Sequence, residues 1–328
     1  MSVFESPKLV GVLPKQIIVI ADYDLTLAMK NDPNDTDKAP LLPSHYLGLS
    51  ELASRICRFV TVTARGQESV LNYLGEHEDM YGRVPNVTLA SNSGHLVHEL
   101  DRPRTEQYII DVPHCSRHTL YRCRDTIHTI VDGLKTEYPD LTADRRELCG
   151  AVVYQFDTAD QARIKGFQNR VDAIEAATKA EIHFAQKEWP CDGRLMGYVD
   201  MTPKGMCKGY TTPIVFNRYK DKAGPDPFVI VMGDSSADYK MMEALAPLIP
   251  AHRRLFLSVG KGLVACDDAH ENHTGQRLLD HVFTGNGKHP VEQAHDFLTT
   301  VGVDDDRRTM LDARHRDRKG PHEILANG

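Results

Sequence analysis

The sequence predicts a doubly wound α/β protein built on a parallel sheet, and three short apolar runs carry that prediction. Ile17-Ile18-Val19-Ile20-Ala21, Phe59-Val60-Thr61-Val62 and Phe228-Val229-Ile230-Val231-Met232 are each about five residues long and rich in β-branched side chains, as suits strands buried on both faces. Leu47, Leu49, Leu52 and Ile56 recur at helical spacing before the second run, and Val70, Leu71 and Leu74 follow it. Strand and helix therefore alternate, as such a sheet requires.

Each run hands over to a polar cluster. The first leads into Asp22-Tyr23-Asp24-Leu25-Thr26, the second into Thr63-Ala64-Arg65-Gly66, and the third into Gly233-Asp234-Ser235-Ser236-Ala237-Asp238. Ligands of open α/β sheets bind just past the carboxyl ends of the strands, where all three clusters fall. Between the second and third runs the pattern changes. Gln107 to Ile110 reads as a strand, Leu120 to Tyr138 as a helix, Ala151 to Phe156 as a strand, Arg163 to Thr178 as a helix and Glu181 to Phe184 as a strand. This mixed α/β stretch is domain-sized and is expected to form a cap over the strand ends. The expected division is a first core segment over 1–94, a cap over 95–198, a second core segment over 199–302, and a charged tail over 303–328 that is expected to be disordered. Lys30 to Ser44 reads as a polar loop.

Composition narrows the function classes. The chain has 328 residues, 41% hydrophobic and 26% charged, with net charge −7. That length suits two unequal domains, and the mix is that of a globular protein rather than a disordered one. Basic residues are scattered, so neither a nucleic-acid groove nor an anionic membrane surface is expected as partner. The seven cysteines form no Cys-x-x-Cys pair, which argues against a disulfide framework or zinc knuckle. No apolar run is long enough to span a bilayer, and Met1 to Pro14 lacks the basic-then-apolar order of a signal peptide. A cytoplasmic location is expected.

The clusters suggest phosphate chemistry. Asp22 and Asp24 place two carboxylates at i and i+2 directly after a buried strand. Like charges this close are costly unless a cation joins them or one takes a proton. Magnesium prefers hard oxygen ligands and keeps several waters, so few protein carboxylates suffice. Asp234, at the end of another strand, is the natural third ligand. Taken alone, Asp-x-Asp is equally a turn or a helix N-cap, and Thr63 a plain N-cap. Together with the N–H groups that follow it, Ala64 first, the Thr63 hydroxyl also suits phosphate oxygens. Lys208, in Thr202-Pro203-Lys204-Gly205-Met206-Cys207-Lys208-Gly209, can hold a phosphate as a point charge, with Lys204 the next candidate.

In this order the clusters resemble the four motifs of the haloacid dehalogenase (HAD) superfamily of phosphatases. Asp22 to Thr26 matches Asp-x-Asp-x-Thr, Thr63-Ala64-Arg65 the second motif, Lys208-Gly209 the third, and Gly233 to Asp238 the Gly-Asp-x-x-x-Asp fourth. The resemblance implies a Rossmann-like core, Asp22 as nucleophile, and Asp24 as acid then base. It implies magnesium held by Asp22, the Asp24 carbonyl and Asp234, with Thr63, Ala64 and Lys208 on the phosphate. Asp238 would orient Lys208 or a metal-bound water. An insertion of this size is similar to the cap of the sugar-phosphatase branch, which includes trehalose-6-, sucrose- and kanosamine-6-phosphate phosphatases. Ser91-Asn92-Ser93-Gly94 resembles that branch's turn ahead of the cap. The implied substrate is a small phosphorylated metabolite, a sugar phosphate. Leu25 and Ala64 stand where glycine is usual, and Ala237 where asparagine often does.

Specificity is expected to lie with Arg65 and the cap residues Tyr154, Arg163 and Trp189, with Gln155 and Lys165 further candidates. Trp189 either stacks on a sugar ring or simply packs. Two rivals use the same residues. Gly233-Asp234-Ser235 with Asp312 and His315 resembles a Gly-Asp-Ser esterase, although its serine follows the last strong strand rather than the first. The other is a catalytically silent relative that binds a phosphorylated ligand. His270-Glu271-Asn272-His273 reads as a solvated loop rather than a metal site.

Overall fold

The computed structural model describes residues 12–24, 26–27, 43–81, 83–233, 235–258 and 279–282. The strands are β1 (Ile17–Ala21), β2 (Arg58–Val62), β3 (Val87–Ser91), β4 (Leu96–Glu99), β5 (Tyr108–Ile109), β6 (Thr142–Arg145), β7 (Gly150–Asp157), β8 (Ile182–Cys191), β9 (Arg194–Pro203), β10 (Phe228–Gly233), β11 (Arg254–Ser258) and β12 (Leu279–Val282). The helices are α1 (Pro43–Arg55), α2 (Gln67–Tyr81), α3 (Arg117–Glu137), α4 (Gln161–Thr178), α5 (Lys208–Tyr219) and α6 (Ser236–Leu245).

The three apolar runs become β1, β2 and β10, at the centre of a sheet ordered β12-β11-β10-β1-β2-β3-β4-β5. Pairing is parallel from β12 to β3 and antiparallel at β4 and β5. Successive strand residues point to opposite faces. Ile17, Val19 and Ala21 pack with Leu49, Leu52, Ile56, Val70 and Leu74 of the α1–α2 side. Ile18 and Ile20 pack with Val215 and Phe216 of α5 and Met241, Met242 and Leu245 of α6. A strand covered on both faces has no polar side, which is why these runs are continuously apolar. The fold is α/β and doubly wound.

A second sheet, ordered β6-β7-β9-β8, is antiparallel throughout. One face packs on α3 and α4 through Val152, Tyr154, Phe156, Ile127, Val131, Ile164 and Phe167. The opposite face carries Ala151, Val153, Tyr198 and Asp200, each out of phase with that core. The start of this unit differs from the expected boundary at residue 95. Residues 96–99 pair back on β3 as β4 and residues 108–109 pair on β4 as β5, because the tight turn after β3 makes an antiparallel hairpin rather than an exit from the sheet. The elements of the smaller unit run from α3 to β9. The tail, most of the polar loop after Thr26, and His270–His273 lie outside the described residues.

That turn is conformationally demanding. Asn92, Ser93 and Gly94 adopt φ of 50°, 57° and 89°, the left-handed region that costs most side chains free energy. A Cβ on Gly94 would lie 2.1 Å from Thr211 Oγ1, while the Thr211 hydroxyl donates to Ser93 O at 3.1 Å. The turn is thereby fastened to α5. Gly94→Ala is expected to lower unfolding free energy by roughly 2–4 kcal/mol, combining a strained φ with overpacking. A shift of the urea midpoint checks this.

Candidate active site

β10, β1 and β2 lie side by side in register, with Ala21 opposite both Met232 and Thr61. The Asp22 amide extends the ladder by donating to Met232 O at 3.0 Å. The chain leaves β1 towards β2 and returns to its other side as β10, so β1 marks the switch point where open sheets form a crevice. Asp22 is therefore set by backbone pairing, at the head of that crevice.

Lys208, the first residue of α5, reaches the same point. Its ammonium donates to Asp22 Oδ1 at 2.6 Å and to Asp238 Oδ1 at 2.7 Å. The three side chains are 13%, 7% and 0% exposed. A cation at a helix N-terminus opposes the helix dipole, so the two carboxylates decide its position. Burial works against the charge on Lys208, but Asp22 and Asp238 outweigh it and hold the ammonium above the ordinary lysine value. For Asp22, burial pushes the carboxyl well above its usual value and Lys208 opposes this, while Asp238 and Asp24 add to the rise. The lysine is thus held in its charged form, while burial and the neighbouring carboxyls resist a charge on Asp22. Asp238 is further fixed at Oδ2, which accepts from Ser235 N at 3.1 Å and Ser235 Oγ at 2.6 Å. The serine of the esterase-like triplet is committed to starting α6, and its proposed partners Asp312 and His315 lie outside the described residues.

Asp24 is held differently. Arg65 Nε donates to Oδ1 and Oδ2 at 2.7 and 3.0 Å, and its Nη2 lies 2.7 Å from Oδ1. Burial disfavours the guanidinium charge, but Asp24 raises it above its usual value. Thr63 is fully buried, and its hydroxyl accepts from Arg65 N at 3.1 Å. The carbonyls of this loop are all engaged. Thr63 O takes Ser93 N at 2.7 Å and Arg65 O takes Asn92 N at 2.8 Å, while Ala64 O takes Arg146 Nη1 at 3.1 Å. With Thr63 N donating to Ala90 O and Arg65 N to the Thr63 hydroxyl, the Ala64 N–H and the Thr63 O–H are the donors this loop has to offer an anion.

Arg146 comes from the smaller sheet. It bridges Asp144 and Asp200 at 2.7 and 2.9 Å. Burial opposes its charge, but Asp200 and Asp144 hold the guanidinium well above its ordinary value, whereas burial raises the Asp200 carboxyl despite Arg146.

The structure thus brings together Asp22, Lys208 and Asp238, and joins Asp24 to Arg65 beside Thr63 and Ala64. Asp234 lies outside the described residues. Tyr154 and Arg163 are not on the face that carries Asp200. Tyr154 is buried in the core of the smaller unit, opposite Gly197, and donates to Glu188 at 3.3 Å. Arg163 covers Phe156 from α4, 5.0 Å from the ring centre, and pairs with Asp140. Trp189 pairs with Met196, four residues from Asp200 and on the same face, beside Tyr198 at 6.4 Å. Sequence reasoning did not find Arg146 or Glu147. They belong to the charged run Asp144-Arg145-Arg146-Glu147, which by itself is indistinguishable from a solvated hairpin turn.

Among the described residues no three acidic, histidine or cysteine side chains form a metal-holding group. A hard dication nevertheless suits the local chemistry, since Asp238 and Asp24 add to the resistance of Asp22 to ionisation despite Lys208, and a cation joining such carboxylates relieves it.

No protein-family model matches the sequence, and no curated protein matches it. Solved structures do. The C-terminal domain of C. albicans trehalose-6-phosphate phosphatase aligns with a TM-score of 0.55 at 13% identity, covering 89% of this chain and 93% of that one. The C-terminal domain of the Candida albicans trehalose synthase regulatory protein gives 0.51 at 11% identity, covering 90% and 96%. A HAD/COF-like hydrolase from Plasmodium vivax gives 0.50 at 12% identity, covering 90% and 98%. Likeness at this level speaks to architecture, and the chain has the haloacid dehalogenase fold that its four motifs imply.

Lys208→Met tests the electrostatics. Removing the cation from a buried pair is expected to cost about 3–5 kcal/mol near neutral pH. A carboxyl whose folded-state pKa is raised binds its proton more readily folded than unfolded, so stability rises as pH falls through that value. The deficit of the variant should therefore shrink as pH falls from neutrality in urea titrations. A deficit independent of pH contradicts the assignment.

Proposed function

We propose that this chain is a magnesium-dependent phosphomonoester hydrolase acting on a small phosphorylated metabolite, a sugar phosphate. The observation that carries the reading is the buried Lys208 ammonium between Asp22 and Asp238 at the carboxyl end of β1. A lysine there orients the Asp22 carboxylate and offers positive charge to an incoming phosphoryl group.

In this reading Asp22 attacks phosphorus, forming a P–O bond to its carboxylate as the bond to the leaving oxygen breaks. Asp24 gives that oxygen a proton. A water then attacks the aspartyl-phosphate, Asp24 takes its proton, and phosphate leaves with Asp22 restored. Thr63, the Ala64 amide and Lys208 hold the non-bridging oxygens. Asp238 keeps Lys208 aimed. Asp22, the Asp24 carbonyl and Asp234 would hold a magnesium ion, which would supply charge neutralisation at the phosphoryl oxygens. Arg65 occupies both oxygens of Asp24, so that fork must open before Asp24 handles a proton.

The sugar-phosphate class is supported by the inserted antiparallel unit and by the likeness to a trehalose-6-phosphate phosphatase domain. Trp189 and Tyr198, side by side on the Asp200 face, suit the apolar side of a sugar ring. The Arg65 fork also favours a second reading, a binder of phosphorylated ligands without turnover, because a permanent fork would leave Asp24 idle.

A panel of phosphorylated sugars and p-nitrophenyl phosphate, assayed for phosphate release, separates the two. Release that needs magnesium and stops with EDTA is expected, and binding without release would favour the second reading. Asp22→Asn should lower turnover by about 10³-fold or more while the fold persists, and a near-normal rate would exclude the covalent route.

A further inference from the structure

We propose that Glu147, reaching across from the smaller sheet, is a positioning residue that organises the Thr63–Arg65 loop, so that the phosphate end of the site is ordered only while the smaller unit is docked. The catalytic half of this statement rests on the hydrolase reading above, whereas the coupling itself does not.

Glu147 lies in the link between β6 and β7, yet its carboxylate ends up at the start of α2. Oε2 accepts from Gln67 N at 3.0 Å and Oε1 from Glu68 N at 3.1 Å. These amides open the helix and have no partner within it. An N-cap Ser, Thr, Asp or Asn immediately before the helix normally serves them. Here that position is Gly66, which has no side chain to offer. The glycine also makes room, since a Cβ on it would lie 3.1 Å from Glu147 Oε2 and 3.3 Å from Arg146 Cβ. The helix has given up a local cap and takes one from another part of the chain.

Asn92 closes the arrangement. It is fully buried at φ 50°, donating from Nδ2 to Glu147 Oε2 at 2.8 Å and accepting at Oδ1 from Leu148 N at 3.1 Å. Through its own amide it grips Arg65 O at 2.8 Å. Arg146, the neighbour of Glu147, grips Ala64 O. From the β6–β7 turn, Arg146 thus reaches the Thr63–Arg65 loop directly, while Glu147 reaches it at the adjoining start of α2 and through Asn92, whose amide holds Arg65 O. Burial would raise the Glu147 carboxyl, but Asn92 and the backbone amides bring it below the ordinary glutamate value, consistent with an anion held by donors. A carboxylate that merely stabilised the smaller unit would bond within it, whereas Gln67, Glu68 and Asn92 all lie across the junction.

The test compares wild type, Glu147→Ala and Glu147→Gln by hydrogen exchange and by kinetics with p-nitrophenyl phosphate and magnesium. In Glu147→Ala, amides over residues 63–70 should exchange faster while those of β7 and β9 keep wild-type rates. At the same time kcat should fall about 10–100-fold with little change in KM, as expected for a displaced reacting group. Glu147→Gln keeps the shape and one acceptor oxygen, so it should restore part of both, and it carries the test if the alanine variant does not fold. Unchanged exchange over 63–70 in a folded variant overturns the coupling. A wild type without turnover, but with the predicted exchange pattern, overturns the hydrolase reading and leaves the coupling standing.

Discussion

A charged lysine buried between two carboxylates constrains everything around it. Lys208 opens α5, Asp22 directly follows β1 and Asp238 lies in α6, and the three meet at 2.6 and 2.7 Å. Each charge alone would be expensive on side chains this buried, and the lysine between the two carboxylates offsets part of that cost. The elements must therefore meet at one point, which the sheet order supplies by placing β10 and β2 on either side of β1. Helices α5 and α6 cover one face of those strands, so both helix starts arrive at the strand ends. The charge cluster and the doubly wound topology thus require each other.

The turn Asn92-Ser93-Gly94 is the second fixed point. Three successive left-handed residues are a costly way to reverse a chain, and such strain persists where surrounding contacts over-determine it. Here Thr211 secures the turn from α5, and the Asn92 and Ser93 amides secure the Thr63–Arg65 loop. Asn92 also meets the β6–β7 turn of the smaller sheet. One strained corner ties together the loop after β2, the helix that presents Lys208, and the inserted unit.

The fold was legible where burial left no choice. β1, β2 and β10 are covered on both faces, and continuous apolar runs have few other uses in a chain of this composition. The site residues were legible where chemistry needs charged groups directly after such strands, and Asp22, Lys208 and Asp238 do converge. β4 and β5 were assigned to the insertion because an edge hairpin and the first strand of a new unit read alike from local pattern. Arg146 and Glu147 were missed because a charged turn gives no sign of what it will dock against. Tyr154 was misjudged although its signal was present. In Val152-Val153-Tyr154-Gln155-Phe156 the bulky members at 152, 154 and 156 share a face by the two-residue period, which places Tyr154 in the core with Phe156 and Phe167. Gln155 and Trp189, which both pair with Met196, lie on the other face, the one that carries Asp200.

The central claim is that Asp22, steadied by Lys208, is the group that reacts. Acid quenching during turnover of a phosphorylated substrate, followed by proteolysis and mass spectrometry, reads it directly. A phosphate-mass adduct is predicted on the peptide containing Asp22, lost in Asp22→Asn. Turnover accompanied by an adduct on the Ser235 peptide instead would contradict it.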